Sequence, residues 1–221
     1  MKVLDKAQEE VGYLEKASNK YLDDKTKNAG SSNFTKFSRD LVKKIGSPFA
    51  QGVAWCQIFV VWCMIQAYGL QKAKELLGGW TAYTPTAVSF YRAKGRYHKT
   101  PQVGDQIFFR NSERVCHTGL VYKIDSQYVY TIEGNTSGAS GVIPNGGGVC
   151  KKKYVKTNGR IDGYGRPAYE EGQTKKDIHT IALEVIKGCW GNGNERKERL
   201  TAAGYDYKEI QKEVNKILKG V

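Results

Sequence analysis

The segment from Trp55 to Tyr68, WCQIFVVWCMIQAY, carries apolar side chains around nearly the whole circumference of a helix and is stopped by Gly69. A helix with no polar face cannot lie on a surface, so it must sit at the centre of a domain with other elements packed around it. Upstream, Asp5 with Gln8 three residues on reads as the cap of a first helix carrying Ala7, Val11 and Leu14 at helical spacing. Residues 24 to 54 are rich in Asn, Ser, Lys and Gly and read as loops and short helical turns. Thr84-Pro85 reads as a cap and first-turn proline for a further helix that Gly95 stops.

Beyond that point the apolar period changes. Asp105 to Arg110, Thr118 to Asp125, Tyr128 to Glu133 and Val149 to Val155 read as strands, and Ile161 to Tyr169 as a last one. VIPNGGG, from Val142 to Gly148, reads as a flexible turn region. Helices first and an antiparallel sheet afterwards define an α+β domain over residues 1–169. A polar linker over 170–176 follows, and then a three-helix module over 177–221. Its first helix is capped by Asp177, carries Ile181, Ala182, Val185 and Ile186, and is closed by Gly188. The second runs from an Asn194 cap to Gly204, and the third starts at an Asp206–Glu209 capping box with Ile210, Val214, Ile217 and Leu218 inward.

Charge narrows the partners. The formal net charge is +13, and the residues from 171 onward hold only about +2 of it, which leaves +11 on the larger domain. Such a domain favours polyanions, either nucleic acid or the phosphate-rich polymers of a bacterial wall. Neither a zinc-finger pattern nor an RNA-binding aromatic signature is present, which argues against nucleic acid as the partner. Five cysteines without a CxxC pair fit neither a disulfide framework nor a structural zinc site. No metal and no other cofactor is expected. The N-terminus lacks a signal-peptide core and no run could span a bilayer, so the expected history is synthesis in a bacterial cytoplasm and access to a wall once the membrane is breached.

Chemistry concentrates on a few residues. Cys56 stands one residue inside the start of the buried helix, where unpaired N–H groups and the helix dipole favour a thiolate. A thiolate that attacks acyl carbons needs a base that also protonates the leaving amine. Of the three histidines, His98 lies in a Lys/Arg-rich stretch and His179 in the C-terminal module, whereas His117 opens a strand in VCHTGLVY. Glu133 and Asn135, in TIEGNTSG on the next strand, are candidates to orient its imidazole. Strand parity sets a condition. A two-residue turn centred on Asp125-Ser126 with regular pairing puts His117 opposite Gly134 and turns Glu133 and Asn135 away. The triad therefore predicts an odd loop or a bulge in this hairpin.

The blocks AWCQIFVVWC, VGDQIFF, HTGLVY and TIEGNTS, with VGYLEKASNKYLDD and NAGSSNFTKFSRDL before them, resemble the CHAP domain, a family of cysteine- and histidine-dependent amidohydrolases and peptidases with a papain-like α+β fold. The resemblance covers about residues 5 to 169. It implies that Cys56 is the nucleophile, His117 the general base and acid, Glu133 the orienting acid and Asn135 a supporting polar group. Gln57 and Val61 replace acidic residues frequent in relatives, and KKIGSPFAQGV lacks the carboxylates with which some relatives bind calcium. Gln51 is a candidate second donor, beside the Cys56 N–H, to an oxyanion.

The C-terminal stretch with WGNG, RLTAAGYDY and QKEVN resembles the short wall-binding repeat of certain phage lysozymes. That resemblance implies a peptidoglycan ligand. Trp190, Arg196 and Arg199 are candidate contacts, an aromatic face and two guanidinium groups for muramoyl-peptide carboxylates. Together the two resemblances imply a peptidoglycan hydrolase of endolysin, prophage or autolysin type, cutting an amide. The alternative is a non-catalytic wall binder with a degenerate CHAP domain.

Overall fold

A computed structural model describes residues 1–137, 147–169 and 177–219. The expected 170–176 linker and residues 142–146 of the expected VIPNGGG turn lie outside the described residues. The chain divides into two compact units, Met1–Ala168 and Tyr169–Val221.

In the first unit, helix α1 (Lys2–Glu9) and helix α2 (Lys36–Lys44) precede α3 (Cys56–Tyr68), the apolar segment. Ten consecutive α3 residues from Cys56 to Ile65 are buried, as a helix without a polar face requires. Each fully buried Ile, Phe or Val contributes about 1.5–3 kcal/mol relative to exposure. Helix α4 (Leu70–Leu77) restarts at once after Gly69, whose φ of 77° breaks the α3 ladder, and α5 (Thr84–Ala93) follows. Six strands complete the unit: β1 (Tyr97–His98), β2 (Gln106–Arg110), β3 (Val115–Ile124), β4 (Tyr128–Thr136), β5 (Gly148–Val155) and β6 (Ile161–Gly165). They form one sheet in the order β1-β6-β2-β3-β4-β5, antiparallel at every pairing, so the fold is α+β as expected.

Helix α3 packs on β3 and β4. A Cβ on Gly134 would stand 2.7 Å from Phe59 Cβ and 2.8 Å from Trp55, so only glycine lets β4 approach the helix this closely. The other face of the sheet buries Ile107, Phe109, Val121, Val129 and Tyr164.

Several local expectations are corrected. Helix α1 begins at Lys2 with Asp5 inside its first turn, so Asp5 is no cap; the helix ends at Glu9, and Leu14 is exposed. The 24–54 stretch contains a true helix, α2, whose N-cap Thr35 accepts a hydrogen bond from Ser38 N. Thr84 is the first residue of α5 and Tyr83 its cap position. Strand β3 begins earlier than expected and β6 ends at Gly165.

In the second unit, α6 (Ile178–Ile186) is capped by Asp177, which accepts from Thr180 N. Helix α7 (Gly193–Ala202) begins at an Asn192 cap position, which places Asn194 within the helix, and α8 (Tyr207–Lys219) follows. Asp206 accepts from the N–H groups of Lys208 and Glu209 at the start of α8. Ile181, Ala182, Val185, Leu200, Tyr205, Ile210 and Val214 form the core of this unit. Leu218 is 68% exposed and faces solvent, contrary to expectation.

Candidate active site

Cys56 is the first residue of α3, and Trp55 at the cap position supplies no side-chain hydrogen bond to the helix start. The N–H groups of the first turn are therefore left to whatever occupies the space before them. Trp55 is fully buried, stacks on Phe37 with centroids 5.5 Å apart, and donates from Nε1 to Glu15 Oε2 at 2.9 Å. Glu15 also accepts from Asn33 N at 3.2 Å. The residue before the thiol is thus clamped by a buried carboxylate from the N-terminal segment. That carboxylate was not legible beforehand, because the contact spans forty positions of the chain.

His117 and Glu133 reach the same place from neighbouring strands. Leu120 pairs with Ile132 and Val121 with Thr131, but Lys123 pairs with Tyr130, so Tyr122 is an extra residue on β3. Of the odd loop or bulge expected for this hairpin, the structure has the bulge. The turn itself is centred on Ser126-Gln127, with Asp125 N donating to Tyr128 O. With Tyr122 absorbed, the register carried onward from Leu120 sets Gly119 across from Glu133, and His117 lies two residues along on the same face. A Cβ on Gly119 would collide with Glu133 Cγ, so glycine leaves the room that the carboxylate occupies.

Glu133 Oε2 accepts from His117 Nε2 at 2.8 Å and from Tyr154 Oη at 3.1 Å, and Oε1 accepts from Thr131 Oγ1. Since Nε2 is turned to the carboxylate, Nδ1 is the ring nitrogen available to sulfur, and the His117 side chain is hydrogen-bonded to Cys56. Burial by itself lowers the imidazole pKa. The hydrogen bond with Cys56, and then that with Glu133, outweigh burial and raise it from 6.5 to about 10. Burial and then the Glu133 charge push the Tyr154 hydroxyl well above its usual value, so it remains a donor. All three members are enclosed: Cys56 is 5% exposed, His117 2% and Glu133 0%.

Asn135 is also buried, in a left-handed conformation with φ 55°, and its Oδ1 has no hydrogen-bond partner among the described residues. Behind the site runs a second polar chain. Gln106 Nε2 donates to Gln57 Oε1 at 2.7 Å and to Thr118 Oγ1 at 2.9 Å, while its Oε1 accepts from Tyr91 Oη at 3.1 Å. Gln57 follows Cys56 and Thr118 follows His117, so one buried amide brackets the neighbours of both groups. Gln57 thus has a partner of its own kind.

The remaining candidates are placed as follows. Gln51 is engaged elsewhere: its amide donates to Thr35 O at 2.9 Å and Asn19 Oδ1 at 3.1 Å, and its oxygen accepts from Thr35 N at 2.9 Å. His98 lies in β1, and His179 pairs with Glu213 at 2.9 Å on the surface. Burial drives the Cys63 thiol far up. In the second unit, Trp190 donates to Glu184 at 3.0 Å and meets Tyr205 edge-on at 5.9 Å, so it staples the bundle. Arg196 donates to Gly191 O and Asn192 Oδ1, both at 3.0 Å, and holds the WGNG loop. Arg199 stays exposed with a loose 3.4 Å contact to Glu195. Among the described residues no group of His, Cys, Asp or Glu is arranged to hold a metal ion, and no helix is long and apolar enough to cross a membrane.

Family models match one stretch in each unit. Residues 48–135, which include Cys56, His117 and Glu133, match the family model of the CHAP domain, and residues 179–218 match that of the CW_7 repeat. Each of these two stretches is thus similar to one family, and neither model spans half of the chain. Over 44 residues it is 53% identical to the lysozyme of Streptococcus phage Cp-7, a match covering 20% of this chain and 13% of that protein's length. No solved structure matches the chain.

Proposed function

We propose that the chain is a peptidoglycan hydrolase that cleaves an amide bond of the bacterial wall by a thiol mechanism, with the CW_7 repeat holding it at the wall. The single observation that carries the reading is the buried line from Cys56 through His117 to Glu133, with an imidazole whose pKa is raised to about 10 beside the sulfur. A protonated imidazole next to a cysteine at a helix start is one half of a thiolate–imidazolium pair.

The proposed reaction follows from that geometry. The Cys56 thiolate adds to the amide carbonyl carbon, and the resulting oxyanion meets the uncapped N–H groups at the start of α3. The C–N bond breaks as His117 gives its proton to the departing amine. A water molecule then attacks the thioester, His117 takes one of its protons, and the thiolate leaves with a free carboxyl group on the product. Glu133 keeps the ring in place and favours its charged form throughout. Asn135, two residues beyond Glu133 on β4 and with an Oδ1 unpartnered among the described residues, is proposed as the supporting polar group. In the CW_7 repeat, Arg199 is the candidate with its side chain open to a wall carboxylate, while Trp190 and Arg196 shape the loop beside it.

Support for the wall as substrate comes from the CHAP domain, the CW_7 repeat and the stretch shared with a phage lysozyme. The test is turbidity loss of purified walls by the native chain and by Cys56→Ala, followed by mass spectrometry of the released muropeptides. The native chain should clear the suspension and release fragments with one new amine and one new carboxyl terminus. Equal clearing by Cys56→Ala rejects the thiol mechanism, and no clearing by the native chain rejects the enzyme.

A further inference from the structure

The first unit carries nearly all the excess charge, and neither the catalytic line nor the repeat uses it. Part of that charge is organised. The bulge that aligns His117 sets Tyr122 and Lys123 together against the single residue Tyr130. Tyr130 in turn pairs with Lys153 on β5, so Lys123, Tyr130 and Lys153 form a row across three strands. Lys123 Nζ stands 4.9 Å from the Tyr130 ring centroid, and Lys153 Nζ lies 3.8 Å from that of Tyr128 and 5.8 Å from that of Tyr130. Two residues along β5, Lys151 lies 5.2 Å from the Tyr122 ring, which meets the Tyr130 ring at 6.1 Å. All three lysines are exposed, and the three tyrosines are half-buried.

Among the described residues none of these lysines has a carboxylate salt bridge. Asp125 stands close enough for its charge to interact with Lys123, and it accepts hydrogen bonds from Tyr130 Oη at 2.7 Å and from the Gln127 and Tyr128 N–H groups of its own turn, one negative charge against three positive. The patch therefore keeps a net positive charge. Ring faces fix where each ammonium sits, so little side-chain freedom is left to lose when an anion arrives. The backbone positions of Lys123 and Lys153 lie about 10 Å apart across the strands and those of Lys151 and Lys153 about 7 Å apart along β5, which suits one extended chain lying flat. The rings between them offer apolar surface to the C–H edges of sugars or polyols.

We propose that this row is a docking surface for a linear polymer of sugars or polyols joined by phosphodiesters, a second wall ligand besides the glycan-peptide network. Choosing that polymer over other polyanions rests on the wall-directed reading above; the existence of the anion site does not.

The test uses the full chain with Cys56→Ala, so that binding is read without hydrolysis, and compares intact walls with walls stripped of phosphodiester polymers by acid. Intact walls should bind at least tenfold more tightly, and Lys123→Gln/Lys151→Gln/Lys153→Gln should abolish that difference while leaving binding to stripped walls unchanged. The salt dependence should weaken as well: the slope of log affinity against log salt falls by about 2 for three lost phosphate contacts on a flexible chain. Circular dichroism checks that the triple variant is folded, and Tyr130→Leu, which keeps the charge, should lose part of the advantage. Equal binding of the parent chain to intact and stripped walls overturns the proposal. So does an equal or greater affinity for a single-stranded oligonucleotide or for anionic lipid vesicles. Failure of the wall-directed reading itself looks different: no binding to either wall preparation.

Discussion

Replacing Glu133 by Gln keeps the size and shape of the side chain and removes its charge. In the native chain one carboxylate, with no exposure to solvent, accepts from His117, Tyr154 and Thr131. The amide oxygen can replace Oε2 and still accept from His117 and Tyr154, while the NH2 group meets the Thr131 hydroxyl as an acceptor. Packing is retained, and the loss is the charge assistance to an imidazolium. A hydrogen bond to a charged group contributes about 1.5–3 kcal/mol, which corresponds to about 10- to 150-fold in rate. The same energy brings the imidazole pKa down by about one to two pH units from its native value near 10. Initial rates of wall clearing from pH 6 to pH 10 read the first effect and the position of the alkaline limb; proton NMR of the His117 ring reads the second. Glu133→Gln should be slower and should lose activity at lower pH than the native chain. A rate within twofold of native, with the alkaline limb unmoved, refutes the assignment of Glu133 as the group that holds and charges His117.

Three further outcomes follow from particular contacts. Because the His117 pKa is raised on folding, its contribution to stability is complete below pH 6.5 and is lost as the pH climbs through about 10; denaturant midpoints from pH 6 to pH 9 should fall more steeply for the native chain than for His117→Gln. Gly119→Ala puts a methyl group where Glu133 Cγ lies, so it should cost about 1–3 kcal/mol of stability and lower wall clearing tenfold or more, measured by melting and turbidity. Gln106→Leu removes the amide that brackets Gln57 and Thr118; kcat should drop with little change in KM, and Gln106→Glu should restore part of it if only position matters.

Much of the fold was legible because burial leaves a periodic trace. Helix α3 shows itself through its missing polar face, and the strands through their change of period. Of the candidate site, the resemblance named Cys56, His117 and Glu133, which the structure brings together, and the supposed triad called for an odd loop or a bulge, which the structure supplies as the bulge at Tyr122. What escaped had no local signal. Helix α4 starts directly at a glycine that also ends α3, so a stop concealed a restart. Asp5 and Asn194 read as caps because capping types also occur inside first turns. Glu15, Tyr154 and Gln106 act through partners on distant segments, and only folding brings those together. Trp190 and Arg196 carry side chains suited to a ligand, yet their own loop and bundle engage them.

The most direct measurement is the mass of the chain caught while it reacts with walls. A brief reaction with walls is quenched in acid, the protein is digested, and the peptide holding Cys56 is weighed. That peptide should carry an acyl fragment of the substrate as a thioester, absent from Cys56→Ala and scarce in His117→Ala. Wall hydrolysis at full rate with Cys56 never acylated would contradict the account at its centre.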